Sequence, residues 1–275
     1  MKDSTVSRQH SPEIPAVDVD KDEVWDQVSA GDSASWYLDP LVAAQKRKAN
    51  ASLLGTAPQS PVVLALKTDS FEEAYGDDST LPDLGPHARR WLLIDTSTMM
   101  VRRAKARFPR AADYAAIDIR RAGIRSGSVD LVYSNSTLDH FHSAEDFEGA
   151  IRELARIAKP GGRLVLTLDN ALNPTYWLLR AYCQTSHAPF PLGYCPTPAR
   201  LELLLTKAGF EIRQRGYLLH NPRLISTAMF LVLRRLLGSA ADGPIAALLK
   251  LFSGLGHLPT RRITACFVTI DAIRR

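Results

Sequence analysis

The sequence predicts an α/β fold: a doubly wound, mostly parallel sheet of seven strands, with an N-terminal helical extension and apolar helices inserted before the last strand. Short apolar runs rich in β-branched residues alternate with segments whose apolar residues recur at helical spacing, which is typical of βαβ units. Some runs end abruptly in small polar residues, as 129–133 does before Ser134 and Asn135. Ligands of such sheets bind beyond the carboxyl ends of the strands, so residues 127–142 are the first candidate site. A buried strand followed by an ordinary polar loop would give the same pattern.

Composition and charge are those of an ordinary globular protein. The chain has 275 residues, of which 45% are hydrophobic and 23% charged, enough for one α/β domain with extensions. The net charge is +5, and the last 76 residues carry twelve Lys or Arg against four Asp or Glu. This asymmetry suits an anionic partner or a membrane surface. We expect no nucleic-acid partner.

The cysteines and the N-terminus predict a cytoplasmic protein. Cys183, Cys195 and Cys266 show neither metal-type nor CxxC spacing, and their odd number predicts reduced thiols. The polar N-terminus has no apolar leader segment. We therefore expect no disulfide and no metal site.

The chain divides into a tail and a single domain. Residues 1–22 are polar, carry Pro12 and Pro15, and predict a disordered tail. The remaining residues, 23–275, predict one domain with three parts: N-terminal helices at 23–58, a core at 61–170 and a substrate region at 171–275.

The first strand is predicted at 61–66 and is followed by helix-start signals. A helix begins near Ser70 and ends at Gly76, and a loop then leads to the second strand, 90–95. Two capping boxes are open at the helix start: Asp69 with Glu72, and Ser70 with Glu73.

The second strand ends in Asp95, and a Ser or Thr N-cap then starts a helix that Pro109 closes. An acid at this position can accept hydrogen bonds from both hydroxyls of a nucleoside ribose. Strand tips also end in Asp for capping alone, so the residue by itself leaves both roles open. A weaker third strand, 115–119, ends at Asp118.

The fourth strand lies within 127–133, and a helix with apolar residues at i, i+3 and i+4 spacing follows from Ser143. Residues 159–162, Lys-Pro-Gly-Gly, form a tight turn before the fifth strand, 163–168, which Asp169 closes.

Several of these features resemble one family when taken in order. They are Ile94-Asp95-Thr96-Ser97 with the helix to Pro109, Asp118 before the fourth strand, Leu138-Asp139-His140-Phe141, and 152–157 with Lys159-Pro160-Gly161-Gly162. Together they resemble the class I S-adenosylmethionine-dependent methyltransferases of the type 11 group, over about 61–170. The resemblance implies a Rossmann-like methyltransferase fold, S-adenosylmethionine as cofactor and a small-molecule substrate.

The resemblance also implies roles for particular residues. Asp95 and Thr96 would hold the ribose, and Asp118 and Ile119 would contact the adenine. Two further sets would face the rest of the cofactor: Leu66, Lys67, Thr68 and Asp69 at its methionine end, with Ser134 and Asn135 close by.

The turn after the first strand departs from the family. Methyltransferases of this family carry glycines there, which let the backbone approach the cofactor. Here the residues are Ala65, Leu66, Lys67, Thr68 and Asp69. Two accounts stay open. The turn binds the cofactor differently, with Asp69 accepting its ammonium, or its side chains fill the site and leave a catalytically silent protein.

Three histidines are candidates for proton transfer: His140, His142 and His220. They follow the fourth and sixth strands, and histidine titrates near neutrality. A structural role for each is the alternative. The His140 and His142 pair is too small a set for a metal site.

The substrate region begins with an aromatic and proline-rich segment, 171–196, which predicts a wall for an apolar or aromatic molecule or simple packing. Thr197 starts a helix that ends at Gly209. The last two strands are predicted at 210–217 and 263–272, the latter resembling the antiparallel strand that ends the family's fold.

Two very apolar helices are predicted at 224–237 and 244–252. Ten residues precede Arg234, far short of a membrane span of roughly 20 residues. A lid, a dimer face, a peripheral membrane contact and plain core packing all remain open.

The sequence therefore predicts methyl transfer from S-adenosylmethionine to a small apolar or aromatic acceptor. The alternative is a catalytically silent methyltransferase-like scaffold or partner subunit. A nicotinamide dehydrogenase comes third, because it too needs a glycine-rich first turn.

Overall fold

The computed structural model describes residues 38–55, 62–185, 188 and 190–275. The predicted tail at 1–22 and the first part of the predicted N-terminal helices lie outside these residues. Within them, helices cover the two faces of one sheet. The strands are β1 (Leu64–Lys67), β2 (Arg90–Asp95), β3 (Asp113–Ala116), β4 (Val129–Asn135), β5 (Ala158–Asp169), β6 (Phe210–Leu218) and β7 (Phe267–Arg274).

The helices alternate with the strands through most of the chain. They are α1 (Pro40–Ser52), α2 (Phe71–Ala74), α3 (Leu81–Leu84), α4 (Thr98–Arg107), α5 (Ala144–Ile157), α6 (Tyr176–Cys183), α7 (Pro198–Lys207), α8 (Arg223–Leu237), α9 (Asp242–Gly254) and α10 (Arg261–Thr264). Short 3-10 turns at Ile119–Arg121, Leu138–His140 and Gly238–Ala241 complete the site loops and the inserted region.

The seven strands run in the order β3-β2-β1-β4-β5-β7-β6, with β7 antiparallel to both of its neighbours and the other pairings parallel. This confirms the predicted fold class. The strand order reverses between β1 and β4, and the carboxyl ends of both strands meet at the same edge of the sheet. Ligands of doubly wound folds bind at such a reversal.

Successive side chains of the central strands point to opposite faces of the sheet and pack into two apolar layers. Leu66 and Val132 pack into the layer under α5 and α7, which also holds Phe147. Leu131 and Tyr133 point to the opposite layer. Because both faces are covered, the middle of these strands is mostly apolar, and most of their polar side chains lie at the carboxyl ends, as Lys67, Ser134 and Asn135 do.

Most helix starts agree with the sequence. The hydroxyls of Ser97, Ser143 and Thr197 accept backbone N–H groups as N-caps, and Gly209 ends α7 at φ +90°. The predicted capping boxes before α2 are wrong. Ser70 is the N-cap residue but makes no side-chain cap bond.

Several strand boundaries differ from prediction. The fifth strand begins at Ala158, so the prediction of a tight turn before it at 159–162 is wrong, and these residues lie within β5. The third strand ends at Ala116 instead of reaching Ile119, because the carboxylate of Asp118 accepts the N–H of Arg120 and starts a 3-10 turn. The last strand begins only at Phe267, since α10 occupies part of the predicted range.

The inserted helices pack on the N-terminal helix. Val42 of α1 shares an apolar cluster with Phe230 of α8 and with Ile245 and Leu249 of α9. The segment Arg223–His257 is long and apolar enough to cross a membrane by length and composition alone. It is not one straight helix, however, since Gly238 at φ +55° separates α8 from α9.

Candidate functional site

A cleft lies beyond the carboxyl ends of β1, β2, β4 and β5 and encloses about 1250 Å³, part of it open to solvent. Eight of the predicted site residues line it: Thr68, Asp69, Asp95, Thr96, Ile119, Asn135, His140 and His142.

Five predicted residues do not line the cleft: Leu66, Lys67, Asp118, Ser134 and His220. Leu66, Lys67 and Ser134 are fully buried behind its wall. Asp118 turns to Arg120, whose guanidinium binds both of its carboxylate oxygens. Asp118 itself does not line the cleft, although its neighbours Ile117, Ile119 and Arg120 do, and its role at the adenine stays a prediction.

His220 lies away from the cleft. Its Nδ1 is 2.8 Å from the hydroxyl of Thr264, and burial lowers the pKa of the ring, with a smaller effect from His257. This arrangement ties β6 to α10, so the structure separates His220 from the other two candidate histidines.

Asp95 is the best-positioned acid of the cleft. Its Oδ2 accepts the N–H of Ser70 at 3.0 Å, and its Oδ1 accepts the N–H of Ser97 at 2.9 Å. Burial raises the pKa of Asp95 to about 6, although both N–H bonds oppose the shift. The carboxylate is thus fixed between the loops that follow β1 and β2, with acceptor capacity left on both oxygens.

The turn after β1 has no glycine, and Lys67, at the end of that strand, holds the turn together through ion pairs. Its fully buried Nζ lies 3.0 Å from Asp69 Oδ1, 3.1 Å from Glu72 Oε2 and 2.9 Å from Glu73 Oε2, and it donates to the carbonyl of Asp69. Burial alone would lower the pKa of Lys67, but these carboxylates raise it well above its ordinary value. The turn therefore owes its shape to a buried cation, and the glutamates that could have capped α2 serve Lys67 instead.

The acids outnumber the cations at this end of the cleft. Lys46 of α1 binds Glu72 and Asp78, with Nζ–O distances of 3.4 and 2.6 Å. Two lysines thus face four carboxylates. Burial and the neighbouring acids raise the pKa of both Asp69 and Glu73. Because burial is the largest cause, both carboxyl groups favour their neutral form more than a solvated acid does.

The same acids have the donor set of a metal site. Carboxylate oxygens of Asp69, Glu72 and Glu73 lie within 4.8 Å of one another. The ammonium of Lys67 contacts all three, so it stands where a cation would bind. The geometry supports a structural role for this cluster.

The wall beyond Asp95 is apolar with a charged rim. Ile117 and Ile119 line it beside Phe141. The guanidinium of Arg120 lies 5.3 Å from the centre of the Phe141 ring and binds Asp146 at 2.9 Å. A flat heterocycle between such apolar side chains would lie next to Asp95. The predicted adenine position requires this, because Asp95 is the residue predicted to hold the ribose.

His140 lies at the opposite end of the cleft. Its Nδ1 is 2.6 Å from the carbonyl of Pro191. A carbonyl can only accept, so Nδ1 carries the proton and the neutral ring has its lone pair on Nε2. The ring also contacts Phe190 edge to face, with centroids 5.6 Å apart. His142 is exposed at the rim.

Asp139 stabilises the loop after β4. It is fully buried, and its Oδ2 accepts the hydroxyl of Ser136 and the N–H of Asp169. Ser136 has φ 51°, a left-handed conformation that this bond helps to hold. These contacts give Asp139 a role in holding the loop.

An ion pair lies at the end of the cleft that holds His140, and it was not predicted from the sequence. Asp169, at the tip of β5, binds Arg223 at the start of α8, and both line the cleft. Burial raises the pKa of Asp169 to about 6, although Arg223 opposes the shift. Asp169 showed the same strand-tip signal as Asp95, whereas Arg223, 54 residues later, gave no local signal.

The comparisons with known proteins agree with the fold. A family model described as a methyltransferase domain matches residues 73–166, about a third of the chain, and the match begins just after the glycine-free turn. Among curated proteins, no sequence matches the chain.

Solved structures share the fold at low sequence identity. A chain from the complex between the Haloferax volcanii Trm112 methyltransferase activator and a methyltransferase is 15% identical, with a TM-score of 0.60, covering 92% of this chain and 96% of that one. The N-methyltransferase NodS of Bradyrhizobium japonicum, solved with S-adenosylhomocysteine, is 16% identical, with a TM-score of 0.56 and coverages of 92% and 97%. The [4+2]-cyclase SpnF is 17% identical, with a TM-score of 0.54 and coverages of 92% and 91%.

Proposed function

We propose, from the class I S-adenosylmethionine-dependent methyltransferase fold of this chain, that it transfers a methyl group from S-adenosylmethionine to an apolar or aromatic acceptor. The observation that carries the proposal is Asp95, held by two N–H groups at the tip of β2 and facing the cleft. An ionised carboxylate in this position can accept hydrogen bonds from both ribose hydroxyls.

The remaining cleft fits the rest of this cofactor. Apolar side chains of Ile117 and Ile119 suit the adenine, and the acid-rich turn at Asp69 and Glu72 suits a ligand that carries a sulfonium and an ammonium. Carboxyl oxygens of these residues would contact the ligand here, where a glycine-rich turn offers its backbone. The cofactor supplies an activated methyl group, and the chain aligns donor and acceptor.

The acceptor would lie between the aromatic side chains of Phe190 and Phe267, near His140. With its lone pair on Nε2, His140 can take a proton from an acceptor that has one to lose. Asp169 and Arg223 lie close enough to orient a polar group on the acceptor.

The direct test is production of S-adenosylhomocysteine when the protein is mixed with S-adenosylmethionine and a panel of hydroxylated aromatic, amine and lipid acceptors. We expect turnover with at least one apolar acceptor, and none for Asp95→Ala. Turnover that is equal in both proteins would refute the assigned cofactor position.

His140→Ala should lower the turnover number about 100-fold with a protonated acceptor, because general-base catalysis is typically worth at least that factor. His142→Ala is the matched control, since its ring lies exposed at the rim, and should change turnover less than about threefold. The measurement is the steady-state turnover number of both variants with the same acceptor. An equal loss of turnover in the two variants would show that His140 is not the general base.

Cofactor affinity should fall about tenfold between pH 7 and pH 5. The pKa of Asp95 is raised to about 6, so its carboxylate gains a proton in this range and loses the charge that favours the ribose hydroxyls. Calorimetric titration with S-adenosylhomocysteine at both pH values measures the change. Asp95→Asn should show a smaller dependence, and an affinity that rises towards pH 5 would contradict the assignment.

A catalytically silent scaffold is the second candidate, and the ionic turn around Lys67 favours it. Buried side chains occupy the place where the family has glycines. A partner protein would then be the ligand, as in the Haloferax complex with an activator. The two candidates differ in one measurement, because the scaffold would bind neither S-adenosylmethionine nor S-adenosylhomocysteine.

A further inference from the structure

The helical hairpin, defined as α8 and α9 with the turn Gly238–Ala241, has a large exposed apolar surface. Only 17% of its most apolar 18-residue window is buried. Leu236 is 74% exposed and Leu251 67%, and further apolar side chains on α8 are about half exposed: Ile225, Leu231 and Val232. Large apolar side chains exposed on neighbouring helices indicate an interaction surface.

The hairpin and the segment that follows it to Thr264 are together strongly basic. Residues 223–264 contain six Arg or Lys and a single acid, Asp242, which pairs with Arg234. Four of the cations are exposed: Arg235, Lys250, Arg261 and Arg262. A two-fold dimer through this face would bring like charges together, whereas an anionic lipid surface would complement them.

The hairpin is too short and too charged to span a bilayer. Its longest helix, α8, has 15 residues, which gives about 22 Å against a hydrocarbon core of about 30 Å. Three arginines lie within it: Arg223, Arg234 and Arg235. Exposed leucines beside cations are typical of helices that lie in the membrane interface.

A second cavity of about 1050 Å³, partly open to solvent, lies at the base of the hairpin. Its wall is formed mainly by apolar side chains of α1, α6 and α8. Four residues line both this cavity and the functional cleft, so the two are adjoining: Lys46, Phe190, Arg223 and Phe267. Leu231 lines the cavity and is 49% exposed, which places an opening at the apolar face of the hairpin.

We infer that the hairpin docks on an anionic membrane surface and that the second cavity takes the apolar chain of a membrane lipid, whose head group reaches the cleft as the methyl acceptor. The acceptor part rests on the proposed function, whereas docking and chain binding stand on the hairpin and the cavity. A chain that leaves the bilayer beside Leu231 can enter the cavity without crossing water, so its apolar surface stays shielded from water along the whole path.

Docking is tested with vesicles of phosphatidylcholine, with and without phosphatidylglycerol. The wild type should sediment with the anionic vesicles and be released by high salt. Leu236→Asp with Leu251→Asp should weaken binding at least tenfold, whereas Leu203→Asp, an exposed helical leucine on α7, should not. Equal binding of all three proteins would overturn the inference. The inference would also be overturned if the wild type did not bind vesicles but formed a concentration-dependent dimer that the double variant lost. That result would identify the hairpin as a dimer interface.

Chain binding is tested with a fluorescent fatty acid and with S-adenosylhomocysteine in parallel. Thr227→Trp and Ala228→Phe place bulk in the second cavity and should each weaken fatty-acid binding at least tenfold, while affinity for S-adenosylhomocysteine stays within twofold. Retained thermal unfolding temperatures show that the variants fold. A wild type that binds S-adenosylhomocysteine but no fatty acid overturns the chain site and leaves the proposed function standing. The reverse result refutes the proposed function and leaves the chain site.

Discussion

Replacing Asp95 by Ala should weaken S-adenosylhomocysteine binding about 100-fold. The variant loses both hydrogen bonds to the ribose, each worth about 1.5 kcal/mol or more when the acceptor is charged. It also frees the N–H groups of Ser70 and Ser97, which the carboxylate now holds, so the loops after β1 and β2 lose their common support. Calorimetric titration of the variant beside the wild type measures the loss.

Two controls make this result specific to Asp95. Asp95→Asn keeps one acceptor oxygen and the shape of the side chain, so it should retain part of the affinity for S-adenosylhomocysteine. Asp113→Ala removes an exposed acid at the start of β3, which pairs with Arg90 far from the strand tips, and should leave the affinity unchanged. Wild-type affinity in Asp95→Ala would show that the ribose does not bind at the tip of β2.

Replacing Lys67 by Met should destabilise the protein by about 3–5 kcal/mol, because it leaves buried carboxylates without their cation. Asp69, Glu72 and Glu73 all contact the ammonium. The pKa values of Asp69 and Glu73, which burial already raises, would rise further without the ammonium, and the pKa of Glu72, which Lys67 helps to lower, would also rise. The folded variant would therefore bind more protons than the unfolded chain over this range. Its unfolding free energy should therefore increase as the pH falls from 7 to 5, narrowing the gap to the wild type.

Urea unfolding at both pH values measures this effect. Lys105→Met, at an exposed position on α4, is the control and should change the unfolding free energy by less than about 0.5 kcal/mol. A loss below about 1 kcal/mol for Lys67→Met would mean that the acids of this turn do not depend on its ammonium.

Local signals were sufficient to predict much of the fold. The strand at 90–95, the N-caps Ser97 and Ser143 and the stop at Gly209 each follow from residues within a few positions of one another. Asp95 could be predicted as a site residue for the same reason, since its place at a strand tip is a local property.

Contacts distant in the chain could not be predicted. Lys46 approaches Glu72 and Asp78 only because α1 packs over the cleft, and Arg223 meets Asp169 only because α8 begins beside the tip of β5. The wrong capping boxes have the same origin. Glu72 and Glu73 have the spacing of caps, but a buried ammonium on the preceding strand attracts them more strongly than a backbone N–H does.

The central claim is that a cleft with an ionic turn in place of glycines still binds a methyltransferase cofactor. The most direct measurement is calorimetric titration of the wild type with S-adenosylmethionine and S-adenosylhomocysteine at pH 7. We predict one site per chain, a dissociation constant on the order of micromolar for both ligands, and tighter binding of the sulfonium at low ionic strength. No heat and no thermal shift with either ligand at about 1 mM would contradict the account and favour the silent scaffold.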